Sequence, residues 1–454
     1  MALFDRSMTV DPEVEADAAG PAAERRAEPA ALPVWSPAKR IGFRWIFAYL
    51  GLYLFPTYLT LLTYVPGGAT VNTAYTNLLQ AIVSWVGKVV FNVKITVFPN
   101  GSGDTTYNYV EVFFFAVVAA LAALVWTLLD RRRLEYSKLH DWLRAYVRLG
   151  LGFTLIEYGA SKVIPIQFST PSLGKLLQPF GNSSPMGLLW AFMGASPAYT
   201  IFAGASEMVG GLLLIARRTT LLGALACMGV LGNVVMLNFC YDVPVKLYSS
   251  HLFLMAFFLA APDLRRLADL LVFNRRVEPA IHRPLFAGRL WHRAALVVRV
   301  LFLAGFAVLA LYESYGTYKS YGAGAPKSPL YGVWNVDEMA LDGVVRPPLL
   351  TDETRWRRVI FDRVDYFSFQ NMDDSRRSYA MKMDAAKRTL TLSQSDKPAW
   401  KAAFTYQRPD PDHLLLAGTF DGHPLRATLH RTDPTKRLLT SRGFRWINEY
   451  PFNR

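Results

Sequence analysis

Arg148, Glu157 and Lys162 fall inside one apolar stretch, 145–164, and Glu207 falls inside another, 197–216. In hydrocarbon each such group costs about 2.5–3.5 kcal/mol by insertion scales, so each needs a physical reason to be there. Arg148, Gly152, Gly159 and Lys162 recur at helical spacing and share one face, with Glu157 nearly opposite Arg148. Gly204 and Gly211 flank Glu207 and leave a smooth surface that admits close helix packing. Asn233 follows Gly229 by one turn, and Asn238, Tyr241, Asp242, Lys246 and His251 cluster around a tight Asp242-Val243-Pro244-Val245 turn. A functional reading makes Lys162, Glu207, Asn233, Asp242, Lys246 and His251 a polar cavity near the outer leaflet. A structural reading makes the same residues ties between helices, and the sequence leaves both open. Arg148, Glu157 and Arg299 read as structural or interfacial, since long side chains snorkel.

Other chemistries find no residues to carry them. Haem held by two histidines needs a pair inside the bundle, and only His251 lies in an apolar stretch. No Cys/His spacing suits zinc, and there is no glycine-rich phosphate loop. Gly101-Ser102-Gly103-Asp104 reads as an exposed turn, and His413, His423 and His430 read as surface histidines. Cys227 and Cys240 lie thirteen residues apart in one apolar run, about 20 Å along a helix and beyond disulfide reach. With no nucleophile beside a base and no flavin or nicotinamide motif, the residues assign no catalytic role, metal or cofactor.

The elements that must position these groups are membrane helices. Hydrophobic residues make up 52% of the 454-residue chain and charged ones only 19%, below the usual share of about 25%. Mean hydropathy is +0.18, an average over two polar ends and a greasy middle. Seven stretches are read as crossings: 45–65, 112–129, 145–164, 197–216, 219–239, 247–261 and 294–312. The stretch 72–98, interrupted by Gln80, Lys88 and Lys94, reads as an amphipathic helix that does not span. Ser184-Pro185 through Gly194-Ala195 has the marks of a short capped helix, re-entrant or surface-bound. If the N-terminus is cytoplasmic, segments 39–44, 130–144, 217–218 and 263–293 face the cytoplasm with 3, 5, 2 and 7 Lys+Arg. The opposite segments 66–111, 166–196 and 241–246 hold 2, 1 and 1. Positive residues gather inside, and an odd number of crossings places the C-terminal region outside. The net charge of +14 therefore reflects topology and contact with the lipid bilayer, with no nucleic-acid partner expected.

Residues 1–38 read as a disordered acidic tail without a cleavable signal peptide. Residues 39–135 form an N-terminal membrane region and 136–272 a four-helix core. A basic cytoplasmic loop, the last crossing and a linker at 315–329 fill 273–327. From 328 to 454 the period changes: short alternating stretches are separated by Asp384-Ala385, Asp396-Lys397-Pro398, Pro409-Asp410-Pro411 and the hairpin dipeptide Asp421-Gly422. About eight strands in a meander predict an antiparallel up-and-down barrel. Gly332-Val333-Trp334 at its start and Arg445-Trp446 near its end resemble the lipocalin-type pairing, in which an Arg from the last strand covers the Trp. The fold class expected is thus an integral membrane helical bundle followed by an all-β barrel-like domain.

Residues 140–272 resemble the DoxX-like family of small bacterial membrane proteins. The resemblance rests on Arg148-Leu149-Gly150, Tyr158-Gly159-Ala160-Ser161-Lys162, the run Glu207 to Leu214, Asn238-Phe239 and Tyr241 to Lys246. It implies a bacterial inner-membrane four-helix unit with Lys162 and Glu207 lining its interior, in a family some of whose members are linked to thiosulfate:quinone oxidoreduction or to oxidoreductase assemblies and most of whose members have no assigned activity. A quinone is implied as a possible ligand by this resemblance alone. The three added crossings and the β domain depart from the family's minimal form. Two functions follow. One is a redox-associated component holding a quinone or small substrate in an apolar cavity with a few converging polar groups. The other is a non-enzymatic envelope anchor whose periplasmic barrel binds a protein partner or an apolar, lipid-like ligand; it requires Lys162 and Glu207 to be paired and dry.

Overall fold

A computed structural model describes residues 34–97, 100–279, 288–397, 399–433 and 436–453. Most of the expected acidic tail, Phe98, the middle of the basic loop and Pro398 lie outside the described residues.

Helix α1 (Pro37–Leu62) starts where the Ser36 hydroxyl accepts the Lys39 N–H and Pro37 sets the first turn. Helix α2 (Gly68–Phe91) follows. A capping box between Thr105 and Asn108 opens α3 (Thr106–Leu129). Next come α4 (Ser137–Val163), the single turn α5 (Leu173–Leu176) and α6 (Pro185–Ala195), the last capped by Ser184 as its sequence predicts. Then come α7 (Pro197–Leu213), α8 (Thr220–Cys240), α9 (Lys246–Ala260), α10 (Leu264–Leu271) and α11 (Arg289–Ser320). Among the described residues five helical segments are long and apolar enough to cross a membrane. They are α1, α3, Arg217–Cys240, Lys246–Leu271 and Arg293–Ser320; a sixth is possible if α6 and α7, bent by 98°, make one span. Helix α4 has the length, but its charges take it below that apolar threshold. The expected 247–261 stretch matches α9, and one expected boundary, the start of the linker, is corrected. The 247–261 stretch continues through a tight turn into α10, and α11 runs to Ser320, into the expected linker.

Hydrogen bonds sort the helix ends. At one end, Arg44 donates to the Tyr136 hydroxyl, Thr127 and the Asp130 carbonyl. At that same end Arg144 donates to the Leu259 carbonyl and pairs with Asp263, and Arg148 and Arg299 reach the Ile215 carbonyl. At the other end, the Asp104 carboxylate accepts the N–H groups of Lys246 and Leu247, both at 2.9 Å. Helix α2 stays at this second end: Tyr75 packs on Phe55 near the close of α1, and Phe91 packs on Phe113 near the start of α3.

The C-terminal domain is a closed eight-stranded antiparallel barrel. Strands β1 (Gly332–Leu341), β3 (Trp356–Phe361), β4 (Tyr366–Asn371), β5 (Arg376–Asp384), β6 (Thr389–Ser393), β7 (Lys401–Asp410), β8 (His413–Phe420) and β9 (His423–Arg431) pair in that order. Closure comes from β1 pairing with both β3 and β9, while the short β2 (Val344–Val345) only hooks onto β1. Asp421-Gly422 turns the last hairpin with both residues at positive φ, as that dipeptide favours. Trp334, Trp356, Phe367, Phe369 and Phe404 are buried in one core. Arg355, 2% exposed, is answered by four backbone carbonyls, those of Arg346, Val336, Trp356 and Asp337.

The expected pairing of Gly332 and Trp334 with Arg445 is corrected. The last strand ends at Arg431, and Arg445 lies beyond it in an exposed segment without strand structure. Arg431 takes the place beside Gly332, where an added Cβ would come within 3.1 Å of its Nε, and Arg408 of β7 lies over the Trp334 ring.

The barrel sits on the second end of the bundle through α5. Leu173 packs with Val333 and Ile360, its N–H is accepted by Asp362, and Arg376 donates to the Gly174 carbonyl. Burial pushes the Asp362 carboxyl above the usual carboxylate range.

At Gly418 an added Cβ would stand 2.0 Å from the Ala403 carbonyl oxygen and 2.7 Å from the Phe404 Cα. A 328–454 fragment is expected to show β circular dichroism and a cooperative melt. Gly418→Val should cost the fragment about 1–3 kcal/mol or more in the same melt.

Candidate functional site

The buried face of α4 makes the site possible. Gly152 and Gly159 on α4 oppose Gly211 and Gly204 on α7. A Cβ at Gly159 would lie 2.6 Å from the Gly204 carbonyl oxygen, and one at Gly204 equally near that of Gly159. This approach is closer than any larger residue permits. One turn further along, it brings Lys162 Nζ to 2.7 Å from Glu207 Oε2, with both side chains nearly buried. Lys162 also faces the Tyr158 carbonyl at 3.4 Å and the Tyr158 ring at 5.5 Å.

The pair forms part of the wall of a cavity of about 450 Å³. Its other walls are mainly apolar: Leu155 of α4, Leu189, Trp190 and Met193 of α6, Phe202 of α7, and Val234 and Leu237 of α8. Met186 of α6 and Phe168, which precedes α5, also line it, and the Phe168 and Trp190 rings meet edge to face at 5.0 Å. Asn238 contributes a fixed polar group, since its amide donates to the Ser249 hydroxyl at 3.0 Å.

The structure groups only some of the residues expected in one cavity. Lys162, Glu207 and Asn233 do line it. Asp242 and Lys246 do not: Lys246 pairs with Asp242 at 2.9 Å and with Asp104 at 3.8 Å, at the α8–α9 turn. His251 lies on another face of α9, where its Nε2 is 2.6 Å from the Tyr49 hydroxyl and its ring stacks on Tyr53. The reason is helical phase: residues adjacent near a turn in sequence diverge around α9 at about 100° per residue. Arg148 donates to the carbonyls of Leu214 and Ile215, where α7 ends, and Arg299 joins it at Ile215. Glu157 is exposed. Gly332 and Trp334 belong to the separate barrel, and Arg445 lies in the exposed segment after it.

Sequence reasoning missed Tyr158, Trp190 and Tyr248 as cavity residues. The available signal was Tyr158 one turn before Lys162 on the same face. Among the described residues no group of three His, Cys, Asp or Glu could hold a metal ion. What the arrangement offers is a charged donor and a charged acceptor side by side in an apolar wall. An oxygen-bearing head group could hydrogen-bond to both, and the pair could pass a proton without leaving an isolated charge.

No protein-family model matches the chain, and no solved structure matches it. One relative is the uncharacterized protein YwoB of Bacillus subtilis (strain 168), 33% identical over 124 residues. The match spans 27% of this chain and 77% of that protein. Over that segment the chain belongs to the same family as YwoB.

Lys162→Met leaves the Glu207 carboxylate buried without its partner, which should cost about 3–5 kcal/mol of stability. The double variant Lys162→Met/Glu207→Met should recover most of that loss. Thermal melts of the purified full chain, read as a double-mutant cycle, measure both.

Proposed function

We propose that this chain is a DoxX-like inner-membrane protein of bacteria, a redox-associated component whose bundle holds a small apolar molecule with an oxygen-bearing head group, such as a quinone. The observation that carries this reading is the apolar cavity with the Lys162–Glu207 pair in its wall. Its volume of about 450 Å³ falls in the range of small-molecule sites, about 300–1,000 Å³. Lys162 donates to the head-group oxygen, and Glu207 accepts from it or exchanges a proton with it. The anchor reading meets one of its requirements, since Lys162 and Glu207 are paired and nearly buried, but Trp356, Phe367, Phe369 and Phe404 fill the barrel interior in which its ligand would sit.

The same reading makes α4 and the bent α6–α7 pair two further crossings, seven in all. The N-terminus is then cytoplasmic and the barrel periplasmic, where it can meet other envelope or membrane proteins. Support comes from the clustering of Arg44, Arg144, Arg148, Arg217 and Arg299 at the end of the bundle opposite the barrel.

Gly229 lines the cavity, and a Cβ added there meets nothing within 4 Å. Decylubiquinone should bind the full chain in detergent saturably, and at least tenfold more weakly to Gly229→Phe or Glu207→Gln variants that keep the wild-type gel-filtration profile. Equal affinity for wild type and Gly229→Phe, or no saturable binding, refutes the reading. For orientation, Asp412→Cys in a chain without Cys227 and Cys240 should react with a membrane-impermeant maleimide on intact spheroplasts. Arg132→Cys in the same background should react only after lysis, and the reverse pattern overturns the topology.

A further inference from the structure

We infer that a second cavity, beside the first, is a binding site for an organic cation of the alkylammonium class. The cavity holds about 430 Å³ and is bounded by Tyr53 of α1, Glu111 and Phe115 of α3, Tyr158 of α4 and Tyr248 of α9. Tyr158 and Tyr248 form walls of both cavities.

Glu111 is the charge that calls for a ligand. Its carboxylate accepts the Tyr107 hydroxyl at 3.1 Å, and among the described residues it has no ion-pair partner. Glu207, in the neighbouring cavity, has Lys162. The cation closest in sequence to this wall, Lys246, pairs with Asp104 and Asp242 instead. A carboxylate facing a half-enclosed cavity in a membrane bundle favours a cation there.

The walls select which cation. Three tyrosines and a phenylalanine present rings beside the lone carboxylate, and no group of three His, Cys, Asp or Glu that could hold a metal ion occurs among the described residues. Rings around one carboxylate suit a diffuse organic cation, as in aromatic cages for quaternary ammonium groups. The rings are also held in place. Tyr53 stacks on His251 at 4.2 Å, and the Tyr248 hydroxyl lies 3.4 Å from the Thr154 hydroxyl.

The test uses the purified full chain with choline and its uncharged carbon isostere, 3,3-dimethylbutan-1-ol, by titration calorimetry. Choline should bind saturably and the isostere at least tenfold more weakly. Glu111→Gln should weaken choline at least tenfold, while Gly229→Phe in the first cavity leaves it unchanged. Equal binding of the two probes, no saturable choline binding, or loss of choline in Gly229→Phe overturns the site. The isostere comparison decides on wild-type protein alone if Glu111→Gln does not fold.

Discussion

A helix with six charged residues can lie within a membrane bundle only if its neighbours answer them. Helix α4 carries Lys138, Asp141, Arg144, Arg148, Glu157 and Lys162, and most of these have a partner on another element. Asp141 pairs with Arg217 and Arg144 with Asp263, Arg148 donates to the carbonyls that end α7, and Lys162 meets Glu207. These contacts place α7, the α7–α8 turn and the α9–α10 turn around one central helix. Leaving such groups unanswered would cost more than marginal stability allows, so any arrangement of the helices must bring each charge to a partner. Glycines make the closest of these contacts possible, because side chains at Gly159 or Gly204 would push Lys162 and Glu207 apart.

Lys162 and Glu207 were legible as partners because each was a costly charge beside a small residue on a helical face. Asp242, Lys246 and His251 were placed in the same cavity on proximity to one turn alone. The phase of α9 decides otherwise, since it turns His251 toward Tyr49 and leaves Lys246 with Asp104. Proximity in sequence carries no information about which of several neighbouring helices a side chain meets. The crossings at 45–65 and 112–129 were plain because they lack any charge. Helix α4 shows the limit of that signal: burial inside protein excuses polar residues that a lipid-facing helix could not carry.

The barrel divides in the same way. Alternation and the turn dipeptides, Asp421-Gly422 among them, predicted about eight strands in a meander, since both depend on local chemistry. Strand β1 was read only at its opening Gly-x-Trp, and β2, two residues long, has no room for a pattern. Arg445 was chosen because it lies near the chain end, whereas the arginine that meets Gly332 lies on the last strand, which closes the barrel by pairing with β1. That strand is β9, which contributes Arg431, and strand adjacency is a tertiary fact.

One segment ties the two domains to the cavity. Between α4 and α7 the chain first supplies Phe168, a cavity wall, then α5, the seat of the barrel, then α6, which carries Leu189, Trp190 and Met193 into the cavity. A connection of this length with only short helices of its own loses much conformational entropy when ordered. Contacts at both faces offset that loss: Leu173 and Leu177 against Val333, Ile360 and Tyr331 above, and Phe168 against Trp190 below. The barrel therefore helps to order the wall of a cavity it does not itself line. This gives the C-terminal domain a physical role in the membrane site even though its own interior is filled by aromatic side chains.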